Sequence, residues 1–355
     1  MPVPRAKINP SMSDVARHAG VSIATVSNVI NRPEKVAAAT AERVRASIGE
    51  LGFVRNDVAR SLATGSASTV GMVLADLDNS LFVDMAHGAQ QGSDASGLRL
   101  LLGNAACDLR RQDDYLDLFD EARVRGVLLA PMEDSRSGIE RIRAHGRLIV
   151  VLNFQQPDVD CCTVLVDNEQ VGYLAARHLI EGGRSRLAFL AGREYYQPVQ
   201  ARRAGVRRAV QSAPGVTLEE IDAGGLEFPN GLSVARDLSA RRLGDLPDGV
   251  VAVADELGNG LIEGLRLETE ARVPQDISVV GCEDNRTAQG GPVALTTVQL
   301  SGVEMGQAAA ELLIEEMTAD PGVHRHRTVV LHPSLIARDS TFGASSTELL
   351  RAKGA

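Results

Sequence analysis

The feature that most limits how this chain can fold is a pair of short amphipathic segments near its N-terminus, broken by one glycine. Residues 12–19, Met-Ser-Asp-Val-Ala-Arg-His-Ala, stop at Gly20, and the pattern resumes over 22–30, Ser-Ile-Ala-Thr-Val-Ser-Asn-Val-Ile. Ser11 and Asp14 have the spacing of a capping box, in which the hydroxyl takes an orphan N–H and the carboxylate faces the positive helix end. Val15, Ala16 and Ala19 recur as a buried stripe, and Gly20 can adopt the positive φ at which helices commonly stop. Ser22 can cap a second helix whose Val26, Val29 and Ile30 face inward. Two short helices about a glycine turn predict a helix-turn-helix. A small helical hairpin without function is the alternative on this segment alone.

The opposite face of the second helix carries Ile23, Ala24, Thr25 and Asn28. Short side chains let a helix approach base edges, where Asn can pair with adenine and small methyl-bearing groups can meet thymine methyls. Residues 1–65 hold nine Lys/Arg against five Asp/Glu, a balance of +4 in a chain of net charge −9, which leaves −13 for the remainder. An acidic bulk is repelled by a duplex, so one small N-terminal domain does the DNA binding. A third helix is expected over 38–51, with Val44, Ile48 and Leu51 closing a three-helix core and Gly52 ending it. Residues 56–63 read as a short helix before a polar linker, and a helix of that length orders only when something holds it. Leu62 is the candidate wedge for the minor groove; its alternative is packing on the neighbouring domain.

From residue 70 onward continuous apolar runs alternate with amphipathic stretches. Strands are expected at 70–74, 98–102, 127–130, 148–152 and 164–166, then at 187–190, 249–253 and 277–280, with helices between them. Strands that are apolar throughout belong to parallel sheets covered on both faces, and two doubly wound subdomains in tandem imply a cleft between them. At 355 residues and 44% hydrophobic content there is material for several cores. No run of about 18 apolar residues and no N-terminal signal core occur, which points to a cytoplasmic protein with no membrane partner. Cys107, Cys161, Cys162 and Cys282 lack CxxC spacing and are expected as reduced, mostly buried thiols. There is no phosphate loop, HExxH, G-x-S-x-G elbow or GxGxxG after the first strand, so neither an enzyme nor a cofactor is expected. The seven histidines suggest no metal site, and His324 and His326 are expected to be solvated in a basic loop.

Residues 14–31 form an almost unbroken signature, Asp-Val-Ala-Arg-His-Ala-Gly-Val-Ser-Ile-Ala-Thr-Val-Ser-Asn-Val-Ile-Asn. Further echoes are Ala59-Arg60-Ser61-Leu62, Asp167-Asn168 leading into Gly172, Arg202 before Ala204-Gly205, Val-Pro-Gln-Asp-Ile-Ser-Val-Val-Gly over 273–281, and Leu295-Thr296-Thr297-Val298. Together they resemble the LacI/GalR family of bacterial transcription regulators over nearly the whole chain. The resemblance implies a small all-α helix-turn-helix head (11–56) after an arm (1–10), then a hinge helix and linker (57–68). It implies an α/β periplasmic-binding-protein-like body (69–340) of two doubly wound subdomains, 69–167 plus 300–328 and 168–299 plus 329–340, before a tail (341–355). It implies a repressor that binds a palindromic double-stranded operator as a homodimer and responds to a small-molecule effector, such as a sugar or related metabolite. Ile23, Ala24 and Asn28 match positions where members vary their base contacts. Thr25 and Ser27 match positions nearer the phosphates, and Leu62 matches the hinge wedge with Ala59 beside it.

By the same resemblance, Leu81 and Phe82 of the first subdomain and Tyr196, Arg202, Leu226, Asp255 and Glu283 of the second match cleft-lining positions. Arg202 and the two carboxylates can hold hydroxyls or a charged group. The alternatives are that Arg202 pairs with an acid and that Asp255 caps the helix after it. Arg55 stands where the family usually has proline, Glu283 where it has Asp, and Ala254 where it has Asn. A solute-binding protein would need an export signal and no such head; a regulator whose cleft binds nothing is the other alternative.

Overall fold

The computed structural model describes residues 10–53, 68–192, 196–320 and 322–341, which fall into two compact units, one within residues 1–67 and one from residue 68 onward. The first contains α1 (Met12–Ala19), α2 (Ile23–Asn31) and α3 (Ala38–Leu51). Both arms of the capping box form: the Asp14 N–H donates to Ser11 Oγ at 3.3 Å and the Ser11 N–H to Asp14 Oδ2 at 2.9 Å. Gly20 turns the chain at φ 64°, a conformation in which a side chain is strained, and the Val21 N–H returns to the Ala16 carbonyl at 3.0 Å. Ser22 then caps α2 by accepting from the Thr25 N–H at 3.1 Å. Val15, Ala16, Ala19, Val26, Val29, Ala41 and Val44 are buried as one core, with Ile30, Ile48 and Leu51 packed at its margin. His18 Nδ1, 3.1 Å from Ser47 Oγ, fastens α1 to α3. Ala59 and Leu62, assigned to the hinge, lie outside the described residues.

The second unit has two lobes, each built on a six-stranded sheet. In the first lobe β1 (Thr69–Leu74), β2 (Arg99–Asn104), β3 (Gly126–Ala130), β4 (Leu148–Leu152), β5 (Cys162–Val166) and β11 (Thr328–Leu331) run parallel in the order β11-β5-β4-β3-β1-β2. Helices α4 (Ser80–Ala95) and α11 (Gly302–Thr318) cover one face, α5 (Leu109–Glu121) and α6 (Arg136–Ala144) the other. In the second lobe β6 (Arg186–Ala191), β7 (Thr217–Asp222), β8 (Gly249–Ala252), β9 (Ser278–Gly281) and β10 (Thr296–Gln299) are parallel, and β12 (Ser334–Ile336) joins antiparallel in the order β12-β10-β9-β8-β6-β7. Its helices are α7 (Asn168–Glu181), α8 (Gln197–Gln211), α9 (Phe228–Ser239) and α10 (Asp255–Glu268). Strands β3, β8 and β9 are buried at every residue, as double coverage requires, whereas the edge strand β7 is exposed or half-buried throughout.

The chain passes between the lobes three times: from β5 into α7, from β10 into α11, and from β11 into β12. The last passage corrects the expected boundary at 328, because Val329, Val330 and Leu331 pair with Val164, Leu165 and Val166 in the first sheet. Within the second lobe, α7 and α8 cross at two glycines. A Cβ at Gly172 would stand 1.9 Å from the Arg202 carbonyl oxygen, and one at Gly205 would stand 1.8 Å from that of Glu169. The Gly172 and Ala204-Gly205 echoes of the sequence are thus the points where two backbones touch, which sets the position of Arg202.

Candidate functional site

On the first unit the capped α2 turns Ile23, Ala24 and Asn28 outward. Ile23 is 52% exposed, although its aliphatic side chain gains nothing from water. Thr25 and Ser27 are half-buried at the edge of that face; the Thr25 hydroxyl lies 2.9 Å from Ser22 Oγ, and Ser27 Oγ accepts from Asn31 Nδ2 at 3.3 Å. The face is therefore rigid at its start, small in its side chains, and open at the positions that could meet base edges.

In the second unit a cavity of about 210 Å³ opens between the lobes, and Leu81, Phe82, Tyr196, Arg202, Leu226 and Glu283 all stand on its wall. Arg202, near the start of α8, is buried and engaged at Nη1 and Nε. Its Nη1 donates to the carbonyls of Val253 at 2.6 Å and Cys282 at 3.1 Å, and its Nε donates to Asn168 Oδ1 at 3.0 Å. Nη1 also lies 3.5 Å from Glu283 Oε1, so the guanidinium does pair with an acid while keeping its place on the cavity wall.

Asn79 joins the lobes. Its Oδ1 accepts from the Leu81 N–H at 2.9 Å and caps α4, while its Nδ2 crosses the cleft to Glu283 Oε2 at 3.0 Å. Burial pushes the Glu283 carboxyl above its ordinary range, opposed by Arg202 and by the amides of Asn79 and Asn285. Burial, and then the charges of Glu283, Asp76 and Asp78, push Glu256 up as well. Among the described lining residues, five carboxylates (Asp76, Asp78, Glu227, Glu256 and Glu283) face one guanidinium. Such a lining attracts positive charge and hydrogen-bond donors and repels anions.

Asp255 is a correction: it does not line the cavity. It is the first residue of α10, fully buried, and its carboxylate accepts from the Asn285 N–H at 2.9 Å and from the Thr297 hydroxyl at 2.6 Å. Nor does it cap the helix, because Ala254 occupies the cap position. Burial, then the charge of Glu283, push its pKa up to about 7. Glu256, one residue on, reaches the cavity instead. Sequence reasoning also missed Asn79, although an Asn directly before an apolar helical run is an N-cap signal. His324 and His326 are a second correction, since their side chains are only 9% and 17% exposed and stand against Cys162.

Residues 11–56 match the model of bacterial regulatory proteins of the lacI family, and residues 176–341 match a periplasmic binding protein-like domain. The chain is 32% identical over 333 residues to the HTH-type transcriptional repressor PurR of Vibrio vulnificus (strain CMCP6), an alignment covering 93% of this chain and 98% of that protein. The chain belongs to the lacI family. Among solved structures, this lacI-family protein is similar to the transcriptional regulator CelR in its cellobiose complex, at 27% identity and TM-score 0.66 over 93% of this chain and 99% of that one. It shares its fold with the lac repressor dimer bound to operator and the anti-inducer ONPF, at 22% identity and TM-score 0.77 over 95% of this chain and all of the other. It is accordingly a DNA-binding transcriptional regulator and not an enzyme. Among its described residues no helix is long and apolar enough to cross a membrane.

Proposed function

We propose that this lacI-family regulator is a cytoplasmic repressor that binds a palindromic operator as a homodimer and that a small molecule in the body's cleft changes its affinity for DNA. The exposed face of α2 carries the reading: Ile23, Ala24 and Asn28 sit on a helix capped at its first turn and anchored on a buried core. In the proposal those three side chains read bases, Thr25 and Ser27 face phosphates, and Leu62 with Ala59 enters the minor groove. Two copies of α2 related by a dimer axis require a two-fold-symmetric site. The similarity to the transcriptional repressor PurR supports repression, and the lac repressor structure, a dimer on operator, supports the assembly.

The effector follows from the lining. Five carboxylates against one guanidinium already engaged at Nη1 and Nε favour a ligand rich in hydroxyl or amine donors, such as a sugar or a protonated amine, over a phosphorylated one. The Asn79–Glu283 bond is one of the contacts between the lobes, and it lies on the cavity wall where such a ligand would replace or reinforce it. Coupling of that kind commonly shifts DNA affinity by about 1–3 kcal/mol. Selection of duplexes from a random pool by the full chain tests the DNA half. A two-fold-symmetric consensus is expected; Leu62→Ala weakens its binding, and Asn28→Ala relaxes one base position. Absence of any symmetric preference, with and without candidate effectors, overturns it. Thermal shifts against neutral sugars, amines and sugar phosphates test the cleft, and stabilisation by the phosphates alone would refute the assigned ligand class.

A further inference from the structure

We propose that Cys162, Glu316, His324 and His326 form a metal site of the Zn(II) type on the first lobe, away from the cleft. Cys162 opens β5, Glu316 lies in the last turns of α11, and the two histidines occupy the loop that leads into β11. One donor atom from each of the four lies within 4.8 Å of all the others. Cys162 Sγ is 3.2 Å from His324 Nε2 and 3.7 Å from His326 Nδ1. Zinc bonds of about 2.3 Å to sulfur and 2.0–2.1 Å to nitrogen, opened to a tetrahedral angle, put such donors about 3.6 Å apart. The two Sγ–N distances bracket that value.

A thiol hydrogen-bonded to one imidazole would account for a single contact. It leaves unexplained a second imidazole and a carboxylate converging on the same point. Glu316 Oε2 is buried and has no hydrogen-bond partner among the described residues, while its Oε1 lies 3.8 Å from His326 Nε2, beyond hydrogen-bond reach; a buried carboxylate so placed is unfavourable unless a cation meets it. A thiolate and a carboxylate together neutralise a divalent ion, and one sulfur with two imidazoles is a donor set of borderline softness that suits zinc rather than magnesium or calcium. The outer nitrogens of both rings also face acids. His324 Nδ1 lies 4.0 Å from Glu315 Oε1, and His326 Nε2 lies 3.6 Å from Asp160 Oδ2. Carboxylates placed there orient ligating imidazoles and raise their basicity. A surface depression bordered by Leu148, Asp160, Ala319 and Arg325 gives an ion a way in.

The ion would join β5 to the end of α11 and the loop that follows it, more than 150 residues later, and clamp that connection onto the edge of the first sheet, next to β5, with which β11 pairs. Metal binding would thus stabilise the folded body directly, because the ligands converge only once it has folded. The test treats the purified full chain with a chelator and then titrates it with Zn(II) alone and with Co(II) alone. One equivalent of zinc per chain is expected, together with a higher thermal midpoint and, with cobalt, a thiolate-to-metal charge-transfer band. Cys162→Ser and His324→Gln should each abolish that band and weaken zinc binding by at least roughly tenfold. Cys161→Ala removes the adjacent thiol, which faces the other side of the sheet, and should leave both intact. Should Cys162→Ser not fold by circular dichroism, His324→Gln and His326→Gln in the loop carry the test. Failure to take up stoichiometric zinc, a cobalt spectrum without the thiolate band, or histidine variants that bind like the wild type would each overturn the proposal.

Discussion

Asn79 stands where the two lobes of the body meet, and its two hydrogen bonds can be separated by mutation. Oδ1 caps α4 through the Leu81 N–H at 2.9 Å; Nδ2 reaches Glu283 Oε2 at 3.0 Å in the other lobe. Replacing a capping Asn by Ala costs about 0.5–2 kcal/mol. Losing a hydrogen bond to an ionised buried carboxylate costs about 1.5–3 kcal/mol. Glu283 would retain Asn285 Nδ2 at 3.3 Å and the Arg202 guanidinium at 3.5 Å, so the lower half of the second range applies. Asn79→Ala is therefore expected to destabilise the body by about 2–4 kcal/mol. Asn79→Ser keeps a capping oxygen but is too short to reach Glu283, and it should recover about 1 kcal/mol of that loss. Urea unfolding of the full chain, followed by far-ultraviolet circular dichroism through the transition of the larger unit, measures both. The bond to Glu283 is strongest when that residue is ionised, so the deficit should narrow as the pH falls toward the raised Glu283 pKa. An Ala variant within about 0.5 kcal/mol of wild type, or a Ser variant no more stable than Ala, would refute the two-bond account.

Gly172→Ala should cost about 1–3 kcal/mol by forcing α7 from α8 where a Cβ would meet the Arg202 carbonyl, and a crystal structure of the variant should show Arg202 displaced from Glu283. Val26 is fully buried in the small core of the head; Val26→Ala should destabilise that unit by about 2 kcal/mol and abolish DNA retardation at moderate temperature, and unchanged DNA binding on warming would contradict the reading. Asp255 predicts a pH effect with a definite sign. An unfolded carboxyl ionises near 3.8, while the folded one keeps its proton until about 7, so between those values the native state binds more protons and stability falls as pH rises. Whatever the offset of Asp255→Asn at low pH, its stability relative to wild type should improve as the pH climbs through that window, and a constant difference would show that Asp255 does not titrate there.

The helix-turn-helix was legible in the sequence because its determinants act over three or four residues. The Ser11–Asp14 box, the turn at Gly20 and the Ser22 cap each close within one helical turn, and the small core repeats at helical spacing. The buried strands were legible for a similar reason, since a run such as Gly-Val-Leu-Leu-Ala in β3 tolerates no solvated face. The edge strand β7, Thr-Leu-Glu-Glu-Ile-Asp, lacks such a run because nothing covers it completely. Within the cleft, Asp255 and Glu256 are chemically equivalent in sequence, and only the phase of α10 sends one beneath the cavity and the other onto its wall.

Local hydrogen bonds and apolar periodicity therefore determined the helices of the head and the buried strands of the body from sequence alone. Only the tertiary structure brought Asn79 to Glu283 and Cys162 to His324 and His326, pairs about 160 to 200 residues apart. Such contacts depend on how sheets stack and where the chain crosses between lobes, and no short-range spacing encodes those distances.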